Sequence, residues 1–203
     1  MSAARVALVL AAALACAACS FTRPLPAEQK SFVIEPAPPP ESAAARRAET
    51  LRIGTVRVDP SFSTRDLVYR FDDVRFESDF YNRLMAPPSA MLAARMAEWL
   101  ERAGPFRFVA QPGATVATDL VLEAVFTDLY GDFRPGRPQA AVMNVQVFVL
   151  EGGSSRKPVY ARAFQRRVEL GESSPAAVTS AYGAALGQIL AELSADLARL
   201  PLR

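Results

Sequence analysis

The stretch from residue 51 to residue 92 narrows what this chain can fold into more than any other. It opens with Leu51–Val58, which is mostly apolar or β-branched and ends at an Asp-Pro pair, a pattern typical of a strand. The apolar positions change face after Gly54, because Leu51 and Ile53 share one face and Val56 and Val58 share the other. A β-bulge near Gly54 would reconcile the two halves, so the sequence predicts a bulged strand here.

A hairpin and the start of a helix follow in the same stretch. Residues 67–71 and 74–77 each alternate between two faces, and Asp72-Asp73 between them is suited to a tight turn, which predicts a β-hairpin. Pro88 is suited to the first turn of a helix, because its missing N–H would have no partner there anyway.

The rest of the chain adds strands and two amphipathic helices. The first helix is predicted at Ser89–Ala103, with Trp99 on its apolar stripe, and the second opens at Pro175 with Ser174 as its N-cap. Further strands are predicted at 106–109, 119–130, 140–150 and 159–170. The prediction is therefore an α+β fold, a twisted and mainly antiparallel sheet with two amphipathic helices packed on one face.

Two details of these elements bear on cavities and contacts. The long hairpin at 140–170 has one mostly apolar face and one polar face with Asn144 and Gln146. We assign Arg162 or Arg166 to the polar face as well. A sheet with one solvent-exposed face argues against a deep apolar cavity in this domain. Gly183 and Gly187 are spaced for a close approach on the last helix. We interpret them as admitting a neighbouring side chain or strand, with a contact between two copies as the alternative.

The N-terminal segment is predicted to be a secretory signal peptide. Residues 1–18 contain one basic residue, an apolar run too short to span a bilayer, and small residues before Cys19. The ending Ala-Ala-Cys-Ser resembles the bacterial lipobox, in which the cysteine is diacylated and becomes the mature N-terminus; Cys16 is a second candidate. Ser20, rather than aspartate, favours the outer membrane by resemblance to lipoprotein sorting rules.

A tether and one domain follow the leader. Residues 19–49 are rich in Pro and Ala, which favours an extended tether, and the short run at 31–34 predicts a first strand within it. Residues 50–203 then form one domain of ordinary size.

Composition excludes several function classes. The chain carries 23 Lys and Arg against 21 Asp and Glu without a charge run, so we expect no nucleic-acid partner. It has no histidine, which removes the commonest general base and metal ligand. The acids between Asp72 and Asp79 are typical of turns and surfaces. We therefore expect no catalytic residues, no metal site and no cofactor, and we classify the protein as not an enzyme.

The order of these motifs resembles the ABC-type transport auxiliary lipoprotein family, the outer-membrane partners of Pqi- and Mla-type lipid transport systems. The matching pieces are Leu51–Val58, Leu67–Arg70, Phe80–Arg83 and Pro87–Leu92. The resemblance implies a lipid-anchored protein on the periplasmic face of the outer membrane. Its implied partners are a periplasmic MCE-domain protein with its ABC permease and ATPase.

The docking residues are predicted on the hairpin and the loop before it. The candidates are Phe62, Arg65, Tyr69 and Arg70, because an aromatic residue beside an arginine is a common composition of binding hot spots. The alternative is that Tyr69 belongs to the core and Arg70 is simply solvated. Two other functions stay open, a stand-alone lipid carrier and a structural envelope lipoprotein, and a homo-oligomer stays open as well. The carrier would need an apolar cavity of several hundred Å³.

Overall fold

The computed structural model describes residues 28–39 and 46–201. These residues form eight strands, two helices and a short 3-10 turn at Pro60–Phe62. The strands are β1 Lys30–Phe32, β2 Arg47–Val58, β3 Asp66–Arg70, β4 Phe76–Leu84, β5 Phe106–Ala110, β6 Leu120–Asp132, β7 Ala140–Glu151 and β8 Pro158–Glu169. The helices are α1 Pro88–Ala103 and α2 Pro175–Arg199. The predicted α+β fold is confirmed.

Strand β6 lies at the centre of the sheet, and two different strands pair with it along one edge, which divides the sheet into two branches. On one side β6 pairs with β7, and β7 pairs with β8, in long antiparallel ladders. On the other side the first half of β6 pairs with β2 and its last two residues pair with β3, both in parallel. The β2 branch continues to β5, and the β3 branch continues to β4 and then β1. The parallel ladders are short, so the sheet is mainly antiparallel, as predicted.

The bulge predicted in β2 is present. The register against β6 shifts between Ile53 and Val56, and Leu51, Ile53 and Val58 are all buried. A side chain at Gly54 would come within 2.7 Å of Cγ1 of Val121, so the strands approach closely because this residue is glycine.

Both helices lie on one face of the β2 branch and the long ladder. Helix α1 packs on β2 and β5, α2 packs on β7 and β8, and the two helices contact each other. Pro88 lies in the first turn of α1, and the Ser174 hydroxyl accepts a hydrogen bond from the Ala177 N–H at 3.1 Å, so both predicted helix starts are confirmed. Trp99 is buried in the core.

The polar face of the long hairpin differs from the prediction in one respect. Asn144 and Gln146 point away from the helices, but Arg162 and Arg166 lie opposite Val147 and Met143 on the helix side. Both arginines form ion pairs with Glu192 of α2. The prediction that either arginine shares the face of Asn144 was wrong, because acidic residues on the helix give these guanidinium groups a partner there.

Residues 33–39 form a strap across the helices. Ile34 is buried, its carbonyl oxygen accepts a hydrogen bond from Nε of Arg95 at 3.3 Å, and Glu35 pairs with the same arginine at 2.8 Å. A side chain at Gly183 would collide with the carbonyl group of Glu35. This glycine therefore admits a neighbouring chain segment, as the sequence indicated.

The first residues of β2 are fixed to the end of α2. Strand β2 begins at Arg47, within the range that the sequence assigned to the tether. The Arg47 guanidinium donates to the carbonyl oxygens of Leu197, Ala198 and Leu200 at 2.8 to 3.3 Å. A cation at the C-terminal end of a helix is stabilising, because the last carbonyl groups lack intrahelical partners.

Candidate docking surface

Exposed apolar side chains are concentrated on the β3–β4 hairpin and beside β1. Among the described residues, six of the eight large exposed apolar side chains lie there, namely Val33, Val74, Phe76, Phe80, Tyr81 and Met85. The other two, Phe108 and Val116, lie on β5 and on the loop before β6. Large apolar side chains exposed in one region of a folded domain are typical of a contact surface.

The tip of the hairpin is closed by backbone and carboxylate hydrogen bonds. The Phe71 N–H donates to the Arg75 carbonyl at 3.0 Å, and Oδ1 of Asp72 accepts from the N–H groups of Val74 at 2.9 Å and Arg75 at 2.7 Å. These two backbone hydrogen bonds lower the pKa of Asp72. Val74 is 90% exposed at this turn, so its side chain is presented by the hydrogen bonds and not by packing.

Arg70 and a group of aromatic rings support the tip from behind. The Arg70 guanidinium donates to the Asp72 and Asp73 carbonyls at 3.0 and 3.1 Å, and its carbon lies 5.3 Å from the centre of the Phe76 ring. The Phe76 ring also meets Tyr130 edge to face at 5.4 Å. We call Arg70–Phe76 the hairpin tip; it combines exposed apolar groups with a fixed backbone.

A three-residue bulge interrupts β4 beyond the tip. Asp66 lies opposite Arg83 and Leu67 lies opposite Asp79, so residues 80–82 have no partner on β3. Successive residues of a regular strand point to opposite faces, but the bulge lets two adjacent aromatic side chains protrude. Phe80 is 67% exposed and Tyr81 is 50% exposed, and their rings meet edge to face at 5.3 Å.

The side chain of Asp79 holds this bulge. Oδ1 accepts from the N–H groups of Tyr81 and Asn82 at 2.9 and 3.0 Å. Oδ2 accepts from the Asn82 amide at 2.8 Å and from the Tyr69 hydroxyl at 3.0 Å. Burial, and then this hydrogen bond to a carboxylate, raise the pKa of Tyr69. Because both carboxylate oxygens of Asp79 are hydrogen-bonded within the hairpin, the bulge has a fixed backbone conformation.

The four docking candidates from the sequence lie close to this surface and mostly support it. Phe62 is only 8% exposed, and its ring packs against Phe76 and Tyr130. Arg65 donates to the Leu84 carbonyl at 2.8 Å. Tyr69 and Arg70 are partly buried and hold the bulge and the tip.

Sequence reasoning did not select Phe80 and Tyr81 as contact residues. The signal that could have found them is a pair of adjacent aromatic residues directly after an aspartate, shortly after the predicted hairpin strand at 74–77. Such a pair cannot bury both rings on one face of a regular strand.

A buried carboxylate fastens the hairpin branch to the long ladder. Asp132, at the end of β6, is 0% exposed; Nη2 of Arg134 and Nη1 of Arg167 lie 2.9 and 2.6 Å from its Oδ2. The hydrogen bond from Arg134 is the main reason why the pKa of Asp132 lies well below its ordinary value. Arg134 also reaches Asp73 at the tip, at 3.1 Å, so one arginine joins the two parts.

The described residues carry neither a metal centre nor a membrane-spanning helix. In residues 28–39 and 46–201 no three His, Cys, Asp or Glu side chains are grouped so that they could hold a metal ion. Within the same ranges no helix is both long and apolar enough to cross a membrane. The lipidation candidates Cys19 and Cys16 lie outside the described residues.

The comparison with known families settles the class of protein. Residues 32–194 match the family model of the ABC-type transport auxiliary lipoprotein component. The chain belongs to this family. The family is a transport auxiliary component, so the protein is associated with an ABC transporter and with the cell envelope. No curated protein matches the sequence.

Solved structures show the same fold at low sequence identity. A crystal structure from Xanthomonas campestris, of family DUF330, has a TM-score of 0.70 at 18% identity and covers 81% of this chain and 92% of that one. An uncharacterized protein has a TM-score of 0.60 at 17% identity, with 85% and 97% covered. A hypothetical protein from Chlamydia trachomatis has a TM-score of 0.52 at 10% identity, with 76% and 98% covered. At these identities the likeness extends to the fold alone.

Proposed function

We propose that this family member is held at the periplasmic face of the outer membrane by an acylated Cys19. There it docks the MCE-domain protein of an ABC-type lipid transport system. The observation that carries this proposal is the hairpin tip, where exposed apolar side chains stand on a backbone fixed by its own hydrogen bonds. A preorganised surface loses little conformational entropy on binding.

The charge balance favours docking by shape. The chain has nearly equal numbers of basic and acidic residues, so strong electrostatic steering toward a partner is not expected. A lipid anchor raises the local concentration of the docking surface at the membrane without adding a contact. In this proposal the anchor supplies the high local concentration at the membrane, and the hairpin tip supplies the contact with the partner.

A lipid carrier is the weaker alternative. One pocket of about 610 Å³ lies between Arg52, residues 113–118 and Gly152, and another of about 280 Å³ is lined by charged residues around Asp132. The larger pocket is an open groove in which Arg52 and threonines lie beside small apolar side chains, and the smaller one is lined mainly by polar and charged side chains. Neither is the enclosed apolar cavity that a lipid tail requires. Lipid that co-purifies with the protein in stoichiometric amount would favour the carrier.

The docking proposal is tested by binding with a matched pair of variants. In a Cys19→Ser background, Val74→Ser should weaken binding to the MCE-domain protein about tenfold, because a buried valine contributes roughly 1.5 kcal/mol or more. Val116→Ser removes another exposed valine, far along the chain from the hairpin, and should leave the affinity unchanged. Equal losses in both variants, or no binding by the parent protein, would contradict docking at the tip.

The role of the anchor is tested in cells. Mass spectrometry of membrane-extracted protein should find a diacylglyceryl group on Cys19. The Cys19→Ser protein should fail to restore envelope integrity at native expression and recover when overproduced, because concentration can replace tethering. Full complementation at native levels would exclude the tethering role.

A further inference from the structure

Four exposed apolar side chains lie together where the N-terminal segment enters the fold. Strand β1 pairs with the end of β4, so that Lys30 lies opposite Asn82 and Phe32 lies opposite Leu84. Around this pairing lie the exposed side chains of Val33, Phe80, Tyr81 and Met85, which we call the anchor-side strip.

Hydrogen bonds tie the N-terminal segment directly to this strip. Nε2 of Gln29 donates to the carbonyl oxygen of Phe80 at 3.1 Å, and the N–H of Met85 donates to the carbonyl oxygen of Phe32 at 2.8 Å. The chain that arrives from the anchor therefore meets the sheet beside the protruding aromatic rings.

The distance from the anchor to the strip is bounded by the chain itself. Nine residue steps separate Cys19 from Glu28, and a chain of this length spans at most about 32 Å when fully extended. An acylated Cys19 would hold Glu28, which precedes the residue bonded to Phe80, within this distance of the bilayer surface. This distance limit rests on the lipidation of Cys19, which is part of the proposed function.

We propose that the anchor-side strip is a membrane-contact surface that sits at the phospholipid interface of the leaflet holding the acyl chains. Aromatic side chains favour the interfacial layer, where the ring of Phe80 and the amphipathic ring of Tyr81 can both be accommodated. The bulge already presents these rings without a covering element, so contact needs no rearrangement.

The charges around the strip fit a bilayer without a strong charge requirement. Lys30 is the first residue of β1, Arg65 donates to the Leu84 carbonyl, and Arg83 is paired with Asp66 at 2.7 Å. With Glu28, Asp66 and Asp79 nearby, the described residues around the strip carry no net excess of basic charge. Apolar and aromatic contact, not attraction to anionic lipid, would therefore supply the binding free energy. A second attachment beside the anchor would also limit how far the domain rotates about its tether.

The test uses the lipidated protein reconstituted in phosphatidylethanolamine and phosphatidylglycerol vesicles that contain brominated phospholipid. Tyr81→Trp places a fluorescent indole in the strip, and Phe108→Trp places one at an exposed aromatic position on β5. The native Trp99 is buried and contributes the same background to both variants. We expect a blue shift and several-fold stronger quenching for Tyr81→Trp than for Phe108→Trp.

The possible outcomes separate this proposal from the proposed function. Protein that does not stay with the vesicles overturns both the anchor and the strip. Protein that stays with the vesicles but shows equal quenching at both positions overturns the membrane contact alone. If quenching is absent and Phe80→Ser instead abolishes binding of the MCE-domain protein, or of a second copy, the strip is a protein interface and the proposal is wrong.

Discussion

The part of the molecule under the helices and the part that carries the hairpin are stabilised in different ways. Under α1, α2 and the strap, the apolar side chains of β2, β5 and β7 face inward and are covered. On the β3–β4 branch, the carboxylates of Asp72 and Asp79 accept hydrogen bonds from the backbone, and Asp132 at the end of β6 is joined to this branch through Arg134. Leu67, Val68 and Leu84 of that branch are buried, whereas Val74, Phe76, Phe80 and Tyr81 remain exposed.

This difference explains how one domain can be stable and still offer an apolar surface. The free energy of burial comes mainly from the helix-covered half, where large side chains leave water. The hairpin branch buries Leu67, Val68 and Leu84, and the backbone of its turn and bulge is hydrogen-bonded by nearby carboxylates. The apolar groups at the turn and the bulge are therefore available to a partner or a membrane.

The largest expected effect comes from changing Asp132, the buried carboxylate that joins the hairpin branch to the long ladder. Asp132→Asn should lower the free energy of unfolding by about 3 to 5 kcal/mol, because it leaves Arg134 and Arg167 without their charged partner. Asp73→Asn removes an 88% exposed partner of the same Arg134 and should cost less than about 1 kcal/mol. Chemical denaturation of both variants measures the difference. Similar values for the two variants would show that the buried position has no special role.

The next effect tests the helix-covered half. Leu193→Ala in α2 removes a fully buried side chain and should cost about 2 to 5 kcal/mol, with a melting temperature lower by roughly 5 to 15 °C. Phe80→Ala removes a larger side chain from the hairpin branch and should change stability by no more than about 0.5 kcal/mol. Thermal unfolding by circular dichroism compares them. A large loss from Phe80→Ala would mean that the two halves do not differ as described.

A smaller effect is expected from changes at the glycines of α2 that lie under the strap. Gly183→Ala should cost about 1 to 3 kcal/mol, because the added methyl group collides with the backbone of Glu35. Gly187→Ala meets Pro36 only at an ordinary 3.7 Å and should stabilise the helix by up to about 1 kcal/mol. Opposite signs in denaturant unfolding would support the strap contact. The same sign for both variants would argue against it.

The smallest expected effect is the response of the hairpin branch to acid. The folded pKa values of Asp72 and Asp132 lie below their ordinary values, so their stabilisation is complete above about pH 4 and is lost as the pH falls further. Helix α2 also carries Glu192, whose pKa is lowered by Arg166, but it keeps its buried leucines. Hydrogen exchange at pH 3 should show protection lost earlier in β3 and β4 than in α2. Uniform loss would contradict the contrast.

Alternation and helix signals in the sequence predicted most of the fold. The β2 bulge, both helix starts and the long hairpin follow from local patterns, because apolar periodicity and capping residues act over a few positions. The candidate surface was only partly predictable. The sequence placed its candidates on the hairpin and the loop before it; in the structure Phe62 is buried and Arg65 donates to the Leu84 carbonyl.

What the sequence by itself determined is therefore the class of fold, the family and the element on which the exposed apolar residues lie. Only the tertiary structure decided which side chains of that element face solvent. The pairing of Asp66 with Arg83 forces Phe80 and Tyr81 into a bulge, and Asp132 meets Arg167 across two strands. These contacts join residues far apart in the chain, and no local pattern records them, because register and burial are properties of the assembled sheet.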